Sequence, residues 1–256
     1  MQGRPISKGR AEGEVLLYEG PFSFLGGVDP STGRLSGTDQ RAITGKVFAF
    51  PVGKGSTVGS FTMLEMKRNG TLPAAIINST AEPIVATGAV MCGVPLADRI
   101  DVSVLRDGDL AVVDGNDGTV EVKEVERKSV VTCIVRHKGR FLILKRSERV
   151  GTYRGKWAGV SGYVEKGEEP IQTALKEMRE EVGLSDAKLM KQASVLTVRS
   201  GQTVWDIHPF LFEVGEERVV TDWEHTEHRW IAQSELLSFD TVPGFARVVE
   251  TLLSSD

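Results

Sequence analysis

Cysteine is almost missing from this chain of 256 residues, which holds only Cys92 and Cys133. They are far apart and neither sits in a metal-ligand spacing, which excludes a disulfide framework, a cysteine-rich zinc site and a self-held iron–sulfur cluster, and points to a reduced, cytoplasmic setting. Histidine is nearly as sparse: His137, His208, His225 and His228 make no zinc-type pairing with cysteine. The opening MQGRPISKGRAEGEVLLYEG has no apolar core of signal-peptide length, and no later run approaches a membrane span, so no membrane partner is expected. Basic charge is not in excess either. A net charge of −4 leaves no electrostatic footprint for nucleic acid or an anionic surface. Internal repeats and low-complexity tracts are absent.

What remains is an ordinary globular composition, 40% hydrophobic and 26% charged. The length suits two domains of usual size, and the pattern divides them at residues 1–126 and 127–256. In the first, GEVLLYE and KVFAFPV read as strands, separated by PFSFLGGVDPSTGRLSG, an ordered loop marked by Gly26-Gly27, Asp29-Pro30 and Gly33. KVFAFPV runs through GKGSTVGS into a helix from about Gly59 to Asn69, with Gly70 as C-cap. LPAAIIN is a buried strand. Ser79-Thr80-Ala81-Glu82 forms a capping box ahead of Pro83 and a helix through Met91, and GVPLADRID supplies another strand. Strand–helix–strand–helix–strand implies a parallel sheet. Two short strands around the Asp114-Gly115 and Asp117-Gly118 turns close this half, and EVKEVERKS carries its last strand into a linker.

A strand that ends in Gly53-Lys54-Gly55-Ser56 and feeds a helix has a physical use. Glycines let backbone amides approach an anion, and the helix dipole favours negative charge there. Gly53, Gly55 and Thr57 would then bind a phosphate or carboxylate. The alternative is a plain serine N-cap.

Over nearly its whole length, this half resembles the small, swivelling subunit of the aconitase-X group, through GRPISKGRAEGEVL, SFLGGVDP, GKGSTVGS and PAAIINSTAEPIVATGAVMCGVPLAD. That group includes archaeal phosphomevalonate dehydratase and bacterial relatives that dehydrate cis-3-hydroxyproline. The resemblance implies a β/β/α swivel domain that closes over a separate large subunit carrying an iron–sulfur cluster. It also implies that Ser56 is the proton acceptor. A serine hydroxyl is a poor base unless its alkoxide is stabilised, as amides at a helix N-terminus would do.

From Val130 the pattern changes. SVVTCIVRHKGRFLILKRS alternates as two strands of a hairpin around His137-Lys138-Gly139. Beyond it, Arg146, Arg154 and Lys156 are candidate phosphate or substrate contacts, and Trp157 is either a base-stacking ring or a core residue. The run GYVEKGEEPIQTALKEMREEVGL then places Glu177, Glu180 and Glu181 close together on one helix. Ile171, Leu175, Met178 and Val182 make a separate apolar stripe. Adjacent like charges call for a cation, and clustered oxygen ligands suit Mg²⁺ or Mn²⁺.

Gly162, Glu168, Glu177, Met178, Glu180, Glu181, Gly183 and Leu184 all fall on G-x5-E-x7-R-E-U-x-E-E-x-G-U, the Nudix box, so this half resembles a Nudix hydrolase. The one departure is Lys176, where the family has an arginine that holds a box glutamate bidentately. Lysine keeps the charge but loses the planar fork. The resemblance implies an α/β/α sandwich with a mixed sheet, a metal centre of Glu177, Glu180, Glu181 and the Gly162 carbonyl supported by Glu168, and a further acid from DWEHTEH. Glu224 is the first choice and Glu227 the second.

After the box, KLMKQASVLTVRS and TVWDIHPFLFEVG read as strands, a short helix starts near Ser234, and PGFARVVETLLSS is an amphipathic helix. The expected activity is hydrolysis of a nucleoside, prenyl or other diphosphate, fused to the small subunit of a hydro-lyase. The alternative from another class is a nucleotide sensor without turnover joined to a swivel scaffold. An isomerase of isopentenyl diphosphate is set aside, because WAGVSG has no catalytic cysteine.

Overall fold

The computed structural model describes residues 1–253 and divides the chain into two compact units, Met1–Val125 and a second from Glu126 onward. No helix among the described residues is long and apolar enough to cross a membrane. The last two serines of PGFARVVETLLSS lie outside the described residues.

The first unit is built on a seven-stranded sheet in the order β1-β5-β4-β3-β2-β6-β7. These strands are β1 (Arg4–Ser7), β2 (Arg10–Leu17), β3 (Val47–Val52), β4 (Ala75–Thr80), β5 (Leu96–Asp98), β6 (Leu110–Asp114) and β7 (Thr119–Val122). β2, β3, β4 and β5 run parallel, while β1, β6 and β7 are antiparallel additions. Helices α2 (Val58–Asn69) and α3 (Pro83–Cys92) are the crossovers the pattern called for. Within the loop between β2 and β3, Phe24–Gly27 forms a single distorted turn, α1.

Alternation along the strands sorts the core into two layers. Phe48, Phe50 and Ile76 face Met63 and Met66 of α2 and Val85 and Ala89 of α3. Val47, Ala49, Ala75 and Ile77 face the other way, onto Ala111, Val113 and Val120 of the antiparallel arm. The result is a β/β/α arrangement, and the carboxyl ends of the parallel strands carry the Ser56 loop.

The structure corrects the expected capping box. β4 continues through Thr80, so Ser79 stays in a strand, and the N-cap of α3 is Glu82, whose carboxylate accepts from the Ile84 N–H at 3.0 Å. β1 had not been anticipated. Its Arg4 pairs in register with Asp98 of β5 and donates to it from Nε and Nη2 at 3.0 and 2.6 Å.

The second unit has an eight-stranded mixed sheet. β8 (Glu126–His137) and β9 (Arg140–Arg146) form the expected hairpin, with Lys138 and Gly139 both at positive φ (45° and 81°), as a two-residue turn of this hand requires. β8 starts earlier than expected, however. Glu126–Ser129 are not linker: they pair in parallel with Thr203–Asp206 of β14 (Thr203–Glu213). The remaining strands are β10 (Trp157–Ala158), β11 (Val160–Tyr163), β12 (Lys188–Gln192), β13 (Leu196–Ser200) and β15 (His225–Ile231).

Period-two alternation again makes two layers. Val131, Cys133, Val135, Phe210 and Phe212 meet Ala174, Met178 and Val182 of α4 (Pro170–Val182). On the opposite face Ile134, Phe141, Ile143, Ile207 and Leu211 meet Phe245, Val248, Val249 and Leu252 of α5 (Phe245–Leu253). This is the α/β/α sandwich that the resemblance implied. A 3₁₀ turn at Gln233–Ser238 stands where a short helix was expected near Ser234.

Candidate functional site

The second unit holds a cleft of about 200 Å³ beside α4. Its polar end is lined by Glu177 and Glu181 of α4, Gly162 and Ser161 of β11, Arg146 at the end of β9, and Glu224 from the loop before β15. Helical spacing explains the first pair: residues four apart lie one above the other on one face. Glu181 is 3% exposed and accepts from the Ser161 N–H at 3.2 Å. Burial pushes its carboxyl well above the usual range, with Glu177, Glu224 and Asp222 adding to the rise and the Ser161 N–H opposing it. Glu177 is pushed up to about 6, first by burial and then by Glu180, while Lys176 opposes the shift. Glu224 is raised by burial and by Asp222, with Arg146 pulling the other way.

Beyond burial, these carboxylates raise one another, and the donor set, all oxygen with a backbone strand beside it, suits Mg²⁺ or Mn²⁺. Gly162 supplies a cradle. A Cβ built there would stand 2.0 Å from Glu177 Oε1 and 2.3 Å from its Cδ, so only glycine lets this carboxylate lie against β11. Among the described residues no three Asp, Glu, His or Cys side chains stand close enough together to enclose an ion.

The other expected residues divide between this end and places outside the cleft. Glu180 is exposed on α4, next to the pair rather than in the cleft wall. Glu168 accepts from the Glu165 N–H at 3.4 Å and bears electrostatically on Glu177. Gly183 ends α4 as its left-handed C-cap. Lys176 is exposed and makes no hydrogen bond to Glu177 among the described residues. Arg146 lines the cleft, its Nε donating to the Thr152 carbonyl at 3.1 Å. Glu227 does not reach the cleft; it accepts from Arg229 at 2.7 Å.

Two expected substrate contacts are corrected. Trp157 is 8% exposed, packs edge-on to Phe239 at 5.2 Å in the α5-side core and does not line the cleft. Arg154 turns its Nε back to the Val150 carbonyl at 2.9 Å and does not line the cleft. The rings of Tyr153, Tyr163 and Trp205 stand there instead, with Phe245 of α5. Trp205 and Ile207 could have been found as the alternate positions of TVWDIH, on the face opposite Val204 and Asp206.

In the first unit, β3 ends at Val52 and its extension meets Phe22: Lys54 N–H donates to the Phe22 carbonyl at 2.8 Å. A Cβ at Gly53 would stand 2.6 Å from Val85 Cγ2 and 2.9 Å from Glu82 Oε2. Gly55 takes φ +120°, a conformation foreign to side-chain-bearing residues, and so turns the chain toward α2. Thr57 is the N-cap of α2 without a side-chain cap bond. Ser56 is exposed, and its Oγ accepts weakly from the Val58 N–H at 3.4 Å. Ser56 therefore sits at the positive end of a twelve-residue helix, at the carboxyl edge of parallel strands, where ligands of such sheets bind.

Comparison with known proteins agrees with this division. Residues 1–122 match the aconitase X swivel domain and residues 125–252 the NUDIX domain. The phosphomevalonate dehydratase small subunit of Thermococcus onnurineus is 50% identical over 128 residues, which is 48% of this chain and 98% of that protein. The crystal structure of holo-form aconitase X from Thermococcus kodakaraensis matches at 47% identity, covering 48% of this chain and 97% of that one with a TM-score of 0.47. A MutT protein structure from Methanosarcina mazei Go1 matches at 26% identity, covering 48% of this chain and 90% of that one with a TM-score of 0.43.

Proposed function

We propose, for a chain that belongs to the Nudix family through residues 125–252 and carries an aconitase X swivel domain at residues 1–122, that its units serve two reactions. The second unit hydrolyses a diphosphate linkage with Mg²⁺ or Mn²⁺. The first is the small subunit of a hydro-lyase, phosphomevalonate dehydratase in the archaeal-type mevalonate pathway.

The observation that carries the hydrolase reading is the meeting of Glu177, Glu181 and Glu224 with Arg146 on one cleft. Glu177, Glu181 and the neighbouring Glu180 would hold the cation, with the Gly162 carbonyl beside them and Glu168 behind. Bound there, the ion would neutralise the diphosphate and acidify the attacking water. Arg146 offers its guanidinium to the phosphoryl oxygens, in line with its side chain's place on the cleft wall. Glu224 has a raised affinity for a proton and stands across from α4, which suits a base that accepts the proton of the water.

The test is phosphate release by the purified chain from a panel of nucleoside and prenyl diphosphates. Expected is turnover that requires Mg²⁺ and disappears in Glu180→Gln. Finding no hydrolysis across the panel, or an unaffected Glu180→Gln rate, would refute the reading. Absence of hydrolysis across the panel would also favour a nucleotide-binding sensor, for which the lost fork at Lys176 is the supporting feature.

For the first unit, the support is the near-complete match to a dehydratase small subunit together with Ser56 at its helix N-terminus. Ser56 would take the proton from carbon while loop amides stabilise the alkoxide. The Lewis acid for the departing hydroxyl would be an iron–sulfur cluster in an aconitase-X-type large subunit. Capture of that subunit by the tagged chain, followed by assay of the complex on phosphomevalonate and on cis-3-hydroxyproline, tests this. Dehydration of the hydroxyproline alone would reassign the substrate.

A further inference from the structure

The loop that leads into β15 carries Asp222, Trp223 and Glu224, and the register of β15 against β9 shifts directly after it, between His225 and Glu227. Irregularities of this kind re-aim side chains beside active sites. Backbone bonds tie the loop down at three points. The Val220 and Asp222 N–H groups donate to the Val182 and Glu181 carbonyls at the end of α4, at 3.2 and 3.3 Å. On the other side, the Ser147 N–H donates to the Glu224 carbonyl at 2.7 Å. The loop thus joins the helix of the acids to the end of β9, where Arg146 stands.

One oxygen completes this arrangement. Asp222 Oδ1 accepts from the Glu224 N–H at 3.0 Å and stands 3.1 Å from His225 Nδ1. An aspartate turn needs only the first of these bonds. A carboxylate oxygen accepts and does not donate, so the ring proton sits on Nδ1. Burial lowers the affinity of the ring for a second proton, with Asp222 opposing and Arg146 adding to the fall. The His225 side chain is fully buried, and its Nε2 has no hydrogen bond. An unmet buried nitrogen costs stability that an apolar ring would not lose. Asp222 is costly as well, since its charge adds to the rise that burial gives Glu224 and Glu181. Neither residue is placed for stability alone. What the pair gains is a fixed Glu224 backbone.

We infer that Asp222 and His225 are positioning residues for the hydrolase reaction, a clamp that holds the Glu224 backbone so that its carboxylate lines the cleft. Neither lines the cleft itself, so both act through Glu224 and not on substrate. The inference rests on the reading of this unit as a diphosphate hydrolase with Glu224 as its base, and adds what supports that base.

The test uses the full chain, read by steady-state turnover and by hydrogen exchange of the Glu224 amide. Asp222→Ala removes the shared acceptor, whereas Asp222→Asn keeps an oxygen for the same two donors and discards the charge. Asp222→Ala should lower kcat by about 10- to 100-fold with KM within about twofold, the scale seen when a site residue loses its support. It should also speed exchange of the Glu224 amide by at least about tenfold. Asp222→Asn should stay within about threefold of wild type in both, and His225→Phe should lower kcat by about three- to tenfold. In a Glu224→Ala background, Asp222→Ala should cost at most about twofold more, whereas a loss of stability alone would carry over in full. Full turnover in Asp222→Ala or His225→Phe, or an unchanged Glu224 amide in Asp222→Ala, would overturn the inference. So would an Asp222→Asn loss as deep as that of Asp222→Ala, or an undiminished loss in the Glu224→Ala background. If the wild-type chain hydrolyses nothing in the diphosphate panel, the hydrolase reading falls, and exchange of the Glu224 amide alone upholds or overturns the clamp.

Discussion

The carboxylate of Glu177 lies against the backbone of Gly162 so closely that a Cβ on Gly162 would meet Glu177 Oε1 at 2.0 Å. A strand residue and a helix residue fifteen positions apart in sequence thus fix one another, and the first amino acid of the box is there for the room it leaves. Gly162→Ala should push Glu177 off β11 and lower Mg²⁺-dependent turnover or metal affinity by about 10- to 100-fold, as loss of a ligand's support does elsewhere. Isothermal titration with Mn²⁺ and steady-state rates on the same variant check this. A variant that keeps both parameters would show that the packing has no bearing on the metal centre.

The second unit should respond to pH in a direction opposite to most carboxylate-stabilised folds. Glu177 is raised from 4.5 to about 6, and Glu181 and Glu224 are raised as well, burial being the first cause for each. Between those two values the folded chain holds a proton that the unfolded chain has released. Stability is therefore greatest below this window and falls as pH rises through it. A bound cation stabilises the ionised forms, so Mg²⁺ should flatten the dependence. All four tryptophans, Trp157, Trp205, Trp223 and Trp230, belong to this unit, so their emission reports its unfolding. Urea midpoints measured by that emission should drop between pH of about 4.5 and about 6 in EDTA, and drop less in Mg²⁺. The same slope in both would count against a cation among these residues.

Lys176 gives a third expectation. It acts on Glu177 as a nearby charge but lacks the planar fork for a bidentate hold. Lys176→Arg should therefore raise turnover or metal affinity modestly, by about two- to fivefold. Unchanged kinetics would mean that charge alone is what this position supplies.

For the first unit, Ser56→Ala in complex with the large subunit should lower the dehydration rate by at least about 100-fold, the usual scale for a lost proton-transfer group. Its exposure and its single weak contact predict no loss of fold, which circular dichroism would verify. A complex with full activity would make the swivel unit a scaffold.

Much of this was legible in the residues. Parallel β3, β4 and β5 with α2 and α3 followed from the alternation of apolar strands with capped helices, and the box showed which helix carries the acids. Less legible were the places where a rule has two outcomes. Ser79 and Thr80 had the chemistry of an N-cap, but pairing with β3, where Thr80 lies opposite Val52, kept Thr80 in a strand and moved the cap to Glu82. Glu126–Ser129 read as linker because charge is what a linker shows; the parallel pairing with β14 across more than seventy residues of sequence decided otherwise. The fork of Arg154 and the ring of Trp157 were candidates by residue type alone, and their neighbours turned both away from the cleft.

The sequence by itself determined the two-part organisation, the type of each domain and the helix on which the acids stand, because these depend on local periodicity and on spacings within one element. Only the tertiary structure decided which carboxylates share a cleft, that Glu224 rather than Glu227 faces them, and that Trp205 rather than Trp157 lines the far wall. Those choices depend on register between strands distant in the chain, where a shift of one residue turns a side chain to the opposite face. Glu177 and Gly162 meet for the same reason: the packing of α4 on β11, absent from any single stretch, brings the carboxylate to the space that the glycine leaves open.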